Sequence, residues 1–394
     1  MSTREVVVLG GTRTAIGDYG GSLKDFPPTR LGAIAIKEAL VRAKVDPASV
    51  GHVVMGSVIH GEARDMYLSR VAAIDAGLPV GTPCLTVNRL CGSGLQAIIS
   101  AAQHILLGDT DTVVAGGAES MSRAAYFMTT GRWGQRMGDS AIVDAMSGAL
   151  HDPFGHGHMG VTAENIAAKY GFTREQQDAF AVESHKRAAN ALDKGLFKDQ
   201  IVAIEVKSKK GVEQVTRDEH VRSGAKMEDL AKLKAVFKKD GTVTAGNASG
   251  LNDAGAAIVM MEAGAAAKQG LKPRARLVAY AHAGVEPQLM GLGPIPAVKK
   301  VFEKSGLKPA DMDVVESNEA FAAQAMAVTK DLGLDPAKVN PNGGAVALGH
   351  PIGATGAILT VKALYELERT QKRYALVTMC IGGGQGIAAI FERV

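Results

Sequence analysis

Apolar and polar positions along the chain follow two alternating periods. From Leu31 to Ala43 the apolar residues recur at helical spacing. They do so again at Leu95, Ile98, Ile99, Ala102, Ile105 and Leu106, over Ile295–Ser305, and at Ile358, Leu359, Val361, Leu364 and Leu367. Between these stretches stand short apolar runs at Val6–Leu9, Thr112–Ala115, Ala254–Met261 and Tyr374–Val377, bounded by glycine or polar turns. Runs of that length read as buried strands, and strands interleaved with amphipathic helices predict a layered α/β fold.

The pattern repeats within the chain. Residues Ala43 to Val54 read AKVDPASVGHVV, and residues Ser305 to Val315 read SGLKPADMDVV. Pro47 matches Pro309, Val53 matches Val315 and Gly94 matches Gly356, each at a separation of 262. A helical pattern precedes the first pair of segments, and a strand is expected to follow it, over Met312–Val315 in the second copy. Gly94 and Gly356 each open a further helix that leads into a strand and then into small residues, Gly116-Gly117 or Gly382-Gly383-Gly384. One offset at three separate points indicates duplication. The expected division is a first half over 1–119 and 247–270, an inserted segment over 120–246, and a second half over 271–394. The insert carries a helix from about Arg174 to Lys194, for which Thr173 and Gln176 form a capping box. It also carries a stretch from Lys207 to Lys239 with ten Lys/Arg against five Asp/Glu. Such a run serves equally as a solvated face or as an anion-facing surface.

Composition narrows the function classes. The 394 residues are 46% hydrophobic and 21% charged, which suits a globular protein with a large core. A net charge of +4 is too small to argue for nucleic acid. Three cysteines make no disulfide framework and point to a reducing, cytoplasmic setting. The start, Met1 to Leu9, reads as a short strand and not as a leader. No stretch is expected to reach the roughly 20 apolar residues of a membrane helix.

The chemistry concentrates in glycine-rich loops. Cys91 lies in Asn88-Arg89-Leu90-Cys91-Gly92-Ser93-Gly94, where a strand gives way to a helix. A thiol there is expected to be acidified by the helix terminus and by a nearby imidazole, and so to act as a covalent nucleophile. Cys380 follows a strand and precedes three glycines, which fits a second nucleophile, an acid/base or one partner of a redox pair. Cys84, in an apolar run without glycine, reads as an inert core residue. His350 stands in Gly349-His350-Pro351-Ile352-Gly353. Asn318, in Glu316-Ser317-Asn318-Glu319-Ala320-Phe321, either caps the helix that follows or polarises a carbonyl. His151, His156 and His158 cluster around Asp152-Pro153-Phe154-Gly155, a loop and not a ligand scaffold, so no metal site is expected.

Taken together, NRLCGSG, NEAF, GGAVALGHPIGATG and CIGGGQG resemble the motifs of the thiolase family, in particular its bacterial biosynthetic acetyl-CoA acetyltransferases, or β-ketothiolases. They occur in the family's order and the resemblance spans essentially the whole chain. It implies a duplicated five-layer thiolase fold with an inserted loop domain, and a homotetramer built as a dimer of dimers. It implies Claisen condensation and thiolysis, 2 acetyl-CoA to acetoacetyl-CoA plus CoA and 3-ketovaleryl-CoA besides, by ping-pong transfer through an acyl-Cys91. His350 then activates Cys91, and Cys380 moves the α-proton. Asn318 with a water and His350 forms one oxyanion hole, and the backbone N–H groups of Cys91 and Gly382 form the other. The same resemblance places Ser249, His158, Met159, Ala245, Phe237, Leu150, Arg222 and Phe321 along bound coenzyme A, and Met290 at the end of the acyl pocket. Asp229 stands where some relatives have serine. CoA thioesters are the substrates, and no cofactor, metal, nucleic acid or membrane is implied. A polyhydroxyalkanoate-precursor or ketogenic role in the cytoplasm follows from the same likeness.

Rival readings differ in testable ways. A ketoacyl-carrier-protein synthase leaves the second cysteine unexplained. A non-enzymatic acyl-CoA carrier has no need of both cysteines and His350. A Cys-His hydrolase has no use for Cys380.

Overall fold

The computed structural model describes residues 4–208 and 211–394. Met1–Thr3, read as part of the first strand, and Lys209 and Lys210 of the basic stretch lie outside the described residues. Nine strands form the main path of one large sheet: β1 (Val6–Thr14), β2 (His52–Gly56), β3 (Cys84–Val87), β4 (Thr112–Ser120), β5 (Asn252–Glu262), β6 (Ala275–Gly284), β7 (Val314–Ser317), β8 (Tyr374–Ile381) and β9 (Gln385–Arg393). Their order is β7-β8-β9-β6-β1-β5-β4-β2-β3. The two wings are joined in the sheet where Val7 and Val8 of β1 pair with Arg276 and Ala275 of β6. Within each wing the repeat-related strands are parallel, β2 with β4 and β7 with β8.

Both faces of each wing are covered, which is why the strands read as unbroken apolar runs. Successive side chains point to opposite faces. Val6, Val8, Val113, Ala115, Ile258 and Met260 therefore join the central core, whereas Val7, Val114, Val259 and Met261 join an outer one. The outer core lies under α1 (Pro28–Ala43) and α2 (Leu68–Asp75). The central core holds α3 (Ser93–Leu107). The inserted segment contributes α4 (Met159–Tyr170) and α5 (Arg174–Asp193), and the expected capping box of Thr173 and Gln176 is formed at α5. On the far side, α6 (Pro294–Ser305) and α7 (Ala322–Asp331) cover the second wing, with Val298, Val301, Val328, Leu376 and Ile390 between them. The last helix, α8 (Thr355–Thr370), lies beside α3 in the central core. Helix, sheet, helix, sheet, helix gives the five expected layers. Each fully buried Val, Leu or Ile contributes about 1.5–3 kcal/mol, so this double-sided burial dominates the fold's stability.

The duplication is visible in space. The turns at Pro47 and Pro309, strands β2 and β7, helices α3 and α8, and strands β4 and β8 each begin 262 residues apart. Gly94 and Gly356 are the point where α3 and α8 touch. A Cβ on Gly356 would lie 2.2 Å from the Leu95 nitrogen, and one on Gly94 2.7 Å from the Ala357 nitrogen. Only glycine permits that approach.

Three expectations need correction. The window Leu90–Leu107 is, by length and composition, apolar enough to cross a membrane. It is the central-layer helix, so its apolar residues are spent on the core between the two wings of the sheet. The strand expected over Met312–Val315 runs over Val314–Ser317, because Pro309–Asp311 forms a short turn first. Cys84 is not in the core interior: it sits on the edge strand β3, half-buried against the outer core.

Candidate functional site

The reactive residues collect at the C-terminal ends of the parallel strands, where α/β sheets present ligand sites. Cys91 lies in the loop between β3 and α3. His350 lies in the equivalent loop before α8. Asn318 immediately follows β7, and Cys380 is the second-last residue of β8. Cys91, His350 and Cys380 open on one cavity of about 470 Å³.

His350 is fully enclosed, and burial pushes its imidazole down to about 4, so it is neutral at pH 7. Its tautomer follows from its partners. Thr355 Oγ1 donates to the Pro351 carbonyl (2.9 Å) and so accepts from His350 Nδ1 (2.7 Å). The proton is on Nδ1, and the Nε2 lone pair faces the Asn318 amide nitrogen at 3.4 Å. The backbone N–H of His350 donates to Asn252 Oδ1 (2.9 Å). Asn318 Oδ1 is buried without a hydrogen-bond partner among the described residues.

The cysteines differ from the expectation in one respect. Cys91 was expected to be acidified by the helix terminus. Burial instead pushes its thiol up to about 11, and the Glu119 carboxylate adds to the rise. Hydrogen bonds from the backbone N–H groups of Gly382 and Cys91 itself oppose the rise without cancelling it. The helix effect is worth about 0.3–1 kcal/mol at an exposed terminus, too little to offset desolvation in an apolar pocket. Cys380 is more deeply buried, and burial together with the neighbouring Cys91 sulphur lifts its thiol above the ordinary range. Leu90, just before the nucleophile, has φ 44°, a strained setting for a non-glycine residue. A Cβ on Gly382 would come within 3.3 Å of Leu90 Cδ1 and 3.4 Å of the Met159 sulphur, a close but tolerable fit.

The helix-cap reading of Asn318 does not hold. Helix α7 begins at Ala322 with Phe321 at its cap position, so Asn318 is free to face His350. Its neighbours point elsewhere. Glu316 Oε2 accepts from Lys362 Nζ at 2.7 Å in a fully buried pair. Glu319 accepts from Ser184 on α5 and from Asn340, which ties the insert to the second half.

The inserted segment roofs the cavity. Leu150, His158, Met159, Arg222, Phe237 and Ala245 line it, joined by Ser249, Met290 and Phe321 from the flanking elements. His158 stacks on Phe237 with centroids 4.6 Å apart. Its Nδ1 accepts from the Gly160 N–H (3.0 Å), which places its proton on Nε2 as a donor. Arg222 also lines an adjoining chamber of about 490 Å³ that Asp229, Ala245 and Leu233 share. Asn318 and Gly382 are not among the residues lining the cavity that holds Cys91; they meet it through His350 and Cys91.

Sequence patterns do not single out Thr355, Asn252, Glu119 or His220. Thr355 and Asn252 carry no signal beyond ordinary polar residues. Glu119 does: it is a lone acid ending an apolar strand. Its carboxylate is buried and accepts from the N–H groups of Val58, Ile59 and Gly353, one from the His350 loop. Burial pushes it up to about 8.

Comparison with known proteins agrees with this geometry. The thiolase N-terminal domain family matches residues 6–264, and the thiolase C-terminal domain family matches residues 271–393. The β-ketothiolase BktB of Cupriavidus necator is 65% identical over 393 residues, covering 100% of both chains. An acetyl-CoA acetyltransferase of Pseudomonas aeruginosa is 48% identical, covering 99% of this chain and 100% of its own. The crystal structure of the Bacillus anthracis acetyl-CoA acetyltransferase superposes with a TM-score of 0.97 at 45% identity, over 100% of this chain and 99% of that one. Human mitochondrial 3-ketoacyl-CoA thiolase in complex with CoA superposes with a TM-score of 0.97 at 44% identity, over 100% and 98%. With two family matches that together span nearly the whole chain, and with its reactive groups gathered at one cavity, this chain belongs to the thiolase family.

Proposed function

We propose that the chain is a β-ketothiolase that condenses two acetyl-CoA molecules to acetoacetyl-CoA and CoA, cleaves the product in reverse, and accepts 3-ketovaleryl-CoA. The observation that carries this reading is a pair of thiols, Cys91 and the buried Cys380, beside one neutral imidazole at a cavity roofed by the inserted segment. The names of the relatives support it.

The proposed steps balance. Nε2 of His350 takes the Cys91 proton, and the Cys91 sulphur attacks the thioester carbonyl. The backbone N–H groups of Cys91 and Gly382 stabilise the tetrahedral oxyanion. As the carbon–sulphur bond to CoA breaks, Cys380 supplies the proton that releases CoA as a thiol. The Cys380 thiolate now lies near the His350 imidazolium. A second acetyl-CoA loses its α-proton to Cys380. Its enolate oxygen is held by the His350 Nε2–H and by a water on Asn318. The carbanion attacks the acyl-Cys91 carbonyl, and the departing Cys91 thiolate recovers its proton from His350. A high thiol pKa suits Cys380, because a thioester α-proton is only weakly acidic.

CoA fits the two adjoining chambers, with the pantetheine arm past Ser249 and His158 and the nucleotide toward Arg222. Residues 120–246 serve as the CoA-binding loop domain between halves at 1–119 with 247–270 and at 271–394. A homotetramer is supported by exposed apolar groups on the Tyr126–Val143 hairpin, where Trp133 is 89% exposed, and by the open edge of β3 with Leu85. Light scattering tests it. The cytoplasm is the proposed compartment, and supply of acyl precursors for polyhydroxyalkanoate the proposed role.

The deciding experiment incubates the protein with acetyl-CoA, quenches it and maps acetyl groups by mass spectrometry, alongside initial-rate thiolysis of acetoacetyl-, 3-ketovaleryl- and longer 3-ketoacyl-CoA. Acetyl on Cys91 and turnover of the two short substrates are expected. Acetyl only on Cys380, or release of free acetate without condensation, overturns the reading.

A further inference from the structure

Three successive residues of the inserted segment fasten it to the first strand's exit loop. Asp218 receives Arg13 Nη1 at 2.7 Å and the Ile16 N–H at 2.8 Å, with both side chains of the ion pair fully buried. Glu219 accepts from the N–H groups of Asp18 (2.7 Å) and Ser22 (3.2 Å). His220 Nδ1 meets Asp18 Oδ1 at 2.6 Å. Two residues on, the Arg222 N–H donates to His185 Nδ1 at 3.2 Å. Asp218 and Glu219 spend their side chains wholly on this anchorage. His220 does not: it lines both the reaction cavity and the adjoining chamber, and so stands at their junction.

The ring's orientation is fixed on one side. Besides the Asp18 bond at Nδ1, its Cε1 and Nδ1 press on Gly250, where a Cβ would come within 2.7 and 3.0 Å. With Nδ1 engaged by Asp18, Nε2 is the ring nitrogen left for a ligand. Asp18 Oδ1 also accepts from Asn252 Nδ2 (3.2 Å), whose Oδ1 holds the His350 N–H (2.9 Å). A carboxylate that orients one ring nitrogen so that the other can meet a ligand is a recurring arrangement for histidine.

We propose that His220, oriented by Asp18, is a ligand-positioning residue whose Nε2 hydrogen-bonds the polar arm of coenzyme A beyond the thioester, at the junction of the two chambers. The inference rests on the reading of the cavity as a CoA-thioester site. Its chemistry is a hydrogen-bonding group, from either the amides of the pantetheine arm or the phosphates. Through Asp18 and Asn252 the same contact is tied to the backbone of the catalytic loop, so a seated arm and a correctly placed His350 belong to one network.

The test compares thiolysis of acetoacetyl-CoA, acetoacetyl-pantetheine and acetoacetyl-N-acetylcysteamine by wild type, His220→Ala and Asp18→Asn. In wild type kcat/KM should favour the full CoA thioester over N-acetylcysteamine. In His220→Ala that preference should fall about ten-fold, the size of one lost hydrogen bond, and mainly through KM. Asp18→Asn keeps the side-chain shape and should lower the preference in the same direction by less. It also serves if His220→Ala does not fold. If the preference for the pantetheine thioester over N-acetylcysteamine falls as well, the contact is to the pantetheine amides. If only the CoA-over-pantetheine preference falls, it is to the phosphates. A preference unchanged within about two-fold in both folded variants, or an equal loss on all three substrates, overturns the proposal. A wild type that fails to turn over acetoacetyl-CoA refutes the parent reading instead.

Discussion

The two halves share one frame but not one chemistry. At the 262-residue offset, Asn318 stands where the first half has Gly56, Cys380 where it has Ala118, and His350 where it has Asn88. Conversely, the nucleophile Cys91 stands opposite Gly353. The same strand ends and helix-start loops thus occur twice, on the two sides of the α3–α8 contact. In the first half they present a thiol and otherwise small or neutral groups. In the second they present an imidazole, a second thiol and an amide. Duplication supplies two sets of positions around one cavity, and the two sets carry different side chains. The proposed chemistry rests on the difference between the halves and not on their likeness.

The sharpest way to break that asymmetry is Cys380→Ser, which removes the second half's thiol. Condensation and thiolysis should fall on the order of 10²–10⁴-fold, as when one positioned acid/base is lost. Acetyl transfer to Cys91 should remain detectable by mass spectrometry. Near-normal turnover would make Cys380 structural. Asn318→Gly restores the residue found at the matching first-half position. Its kcat should fall on the order of 10²–10³-fold, the usual cost of an oxyanion donor, with thermal stability little changed. A loss confined to KM would argue that Asn318 only shapes the pocket.

A third substitution probes what the halves have in common. Gly356→Ala pushes a methyl into the Leu95 backbone at the helix contact and should cost about 1–3 kcal/mol of stability in chemical denaturation, in the manner of an overpacked core. Gly94→Ala should act in the same direction, because it faces the same contact from the other side. If neither moved the denaturation midpoint, the helices would not be locked there. The smallest effect concerns pH. With its thiol near 11, Cys91 of the ligand-free enzyme should be alkylated by iodoacetamide about ten-fold faster for each pH unit between 7 and 10. The sign follows from the raised value, since the thiolate fraction grows until pH passes the pKa. His350, neutral above about 4, adds no charge change in that window, whereas Glu119, pushed up to about 8, ionises within it and makes the rise somewhat shallower there. A plateau reached near pH 8 would show that the imidazole does acidify Cys91 at rest.

Much of this was legible in the chain. The offset between Pro47 and Pro309, and between Gly94 and Gly356, located the duplicated elements, because turns and close helix contacts demand particular residue types. Cys91, His350 and Cys380 stood out through their glycine surroundings and family motifs. The acidity of Cys91 was not legible. A helix terminus is visible in sequence, but the desolvation that outweighs it comes from residues brought in by distant segments. Thr355, which settles the tautomer of His350, is one threonine among many until its hydroxyl is seen to donate to Pro351. Glu119 and His220 left a faint trace, an acid closing an apolar strand and a histidine after two acids. Neither pattern says which backbone groups or cavities the fold will place beside it.

The enclosure that raises both thiols has a consequence for the enzyme's survival. At neutral pH a thiol near 11 is ionised in only about one copy in 10⁴. Peroxides and disulfides react with the ionised sulphur. An idle copy is therefore a poor target for oxidative damage. On the proposed mechanism the vulnerable moment is turnover itself, when Cys380 carries charge between the two half-reactions. The wear on such a catalyst is set by how often it works and not by how long it waits.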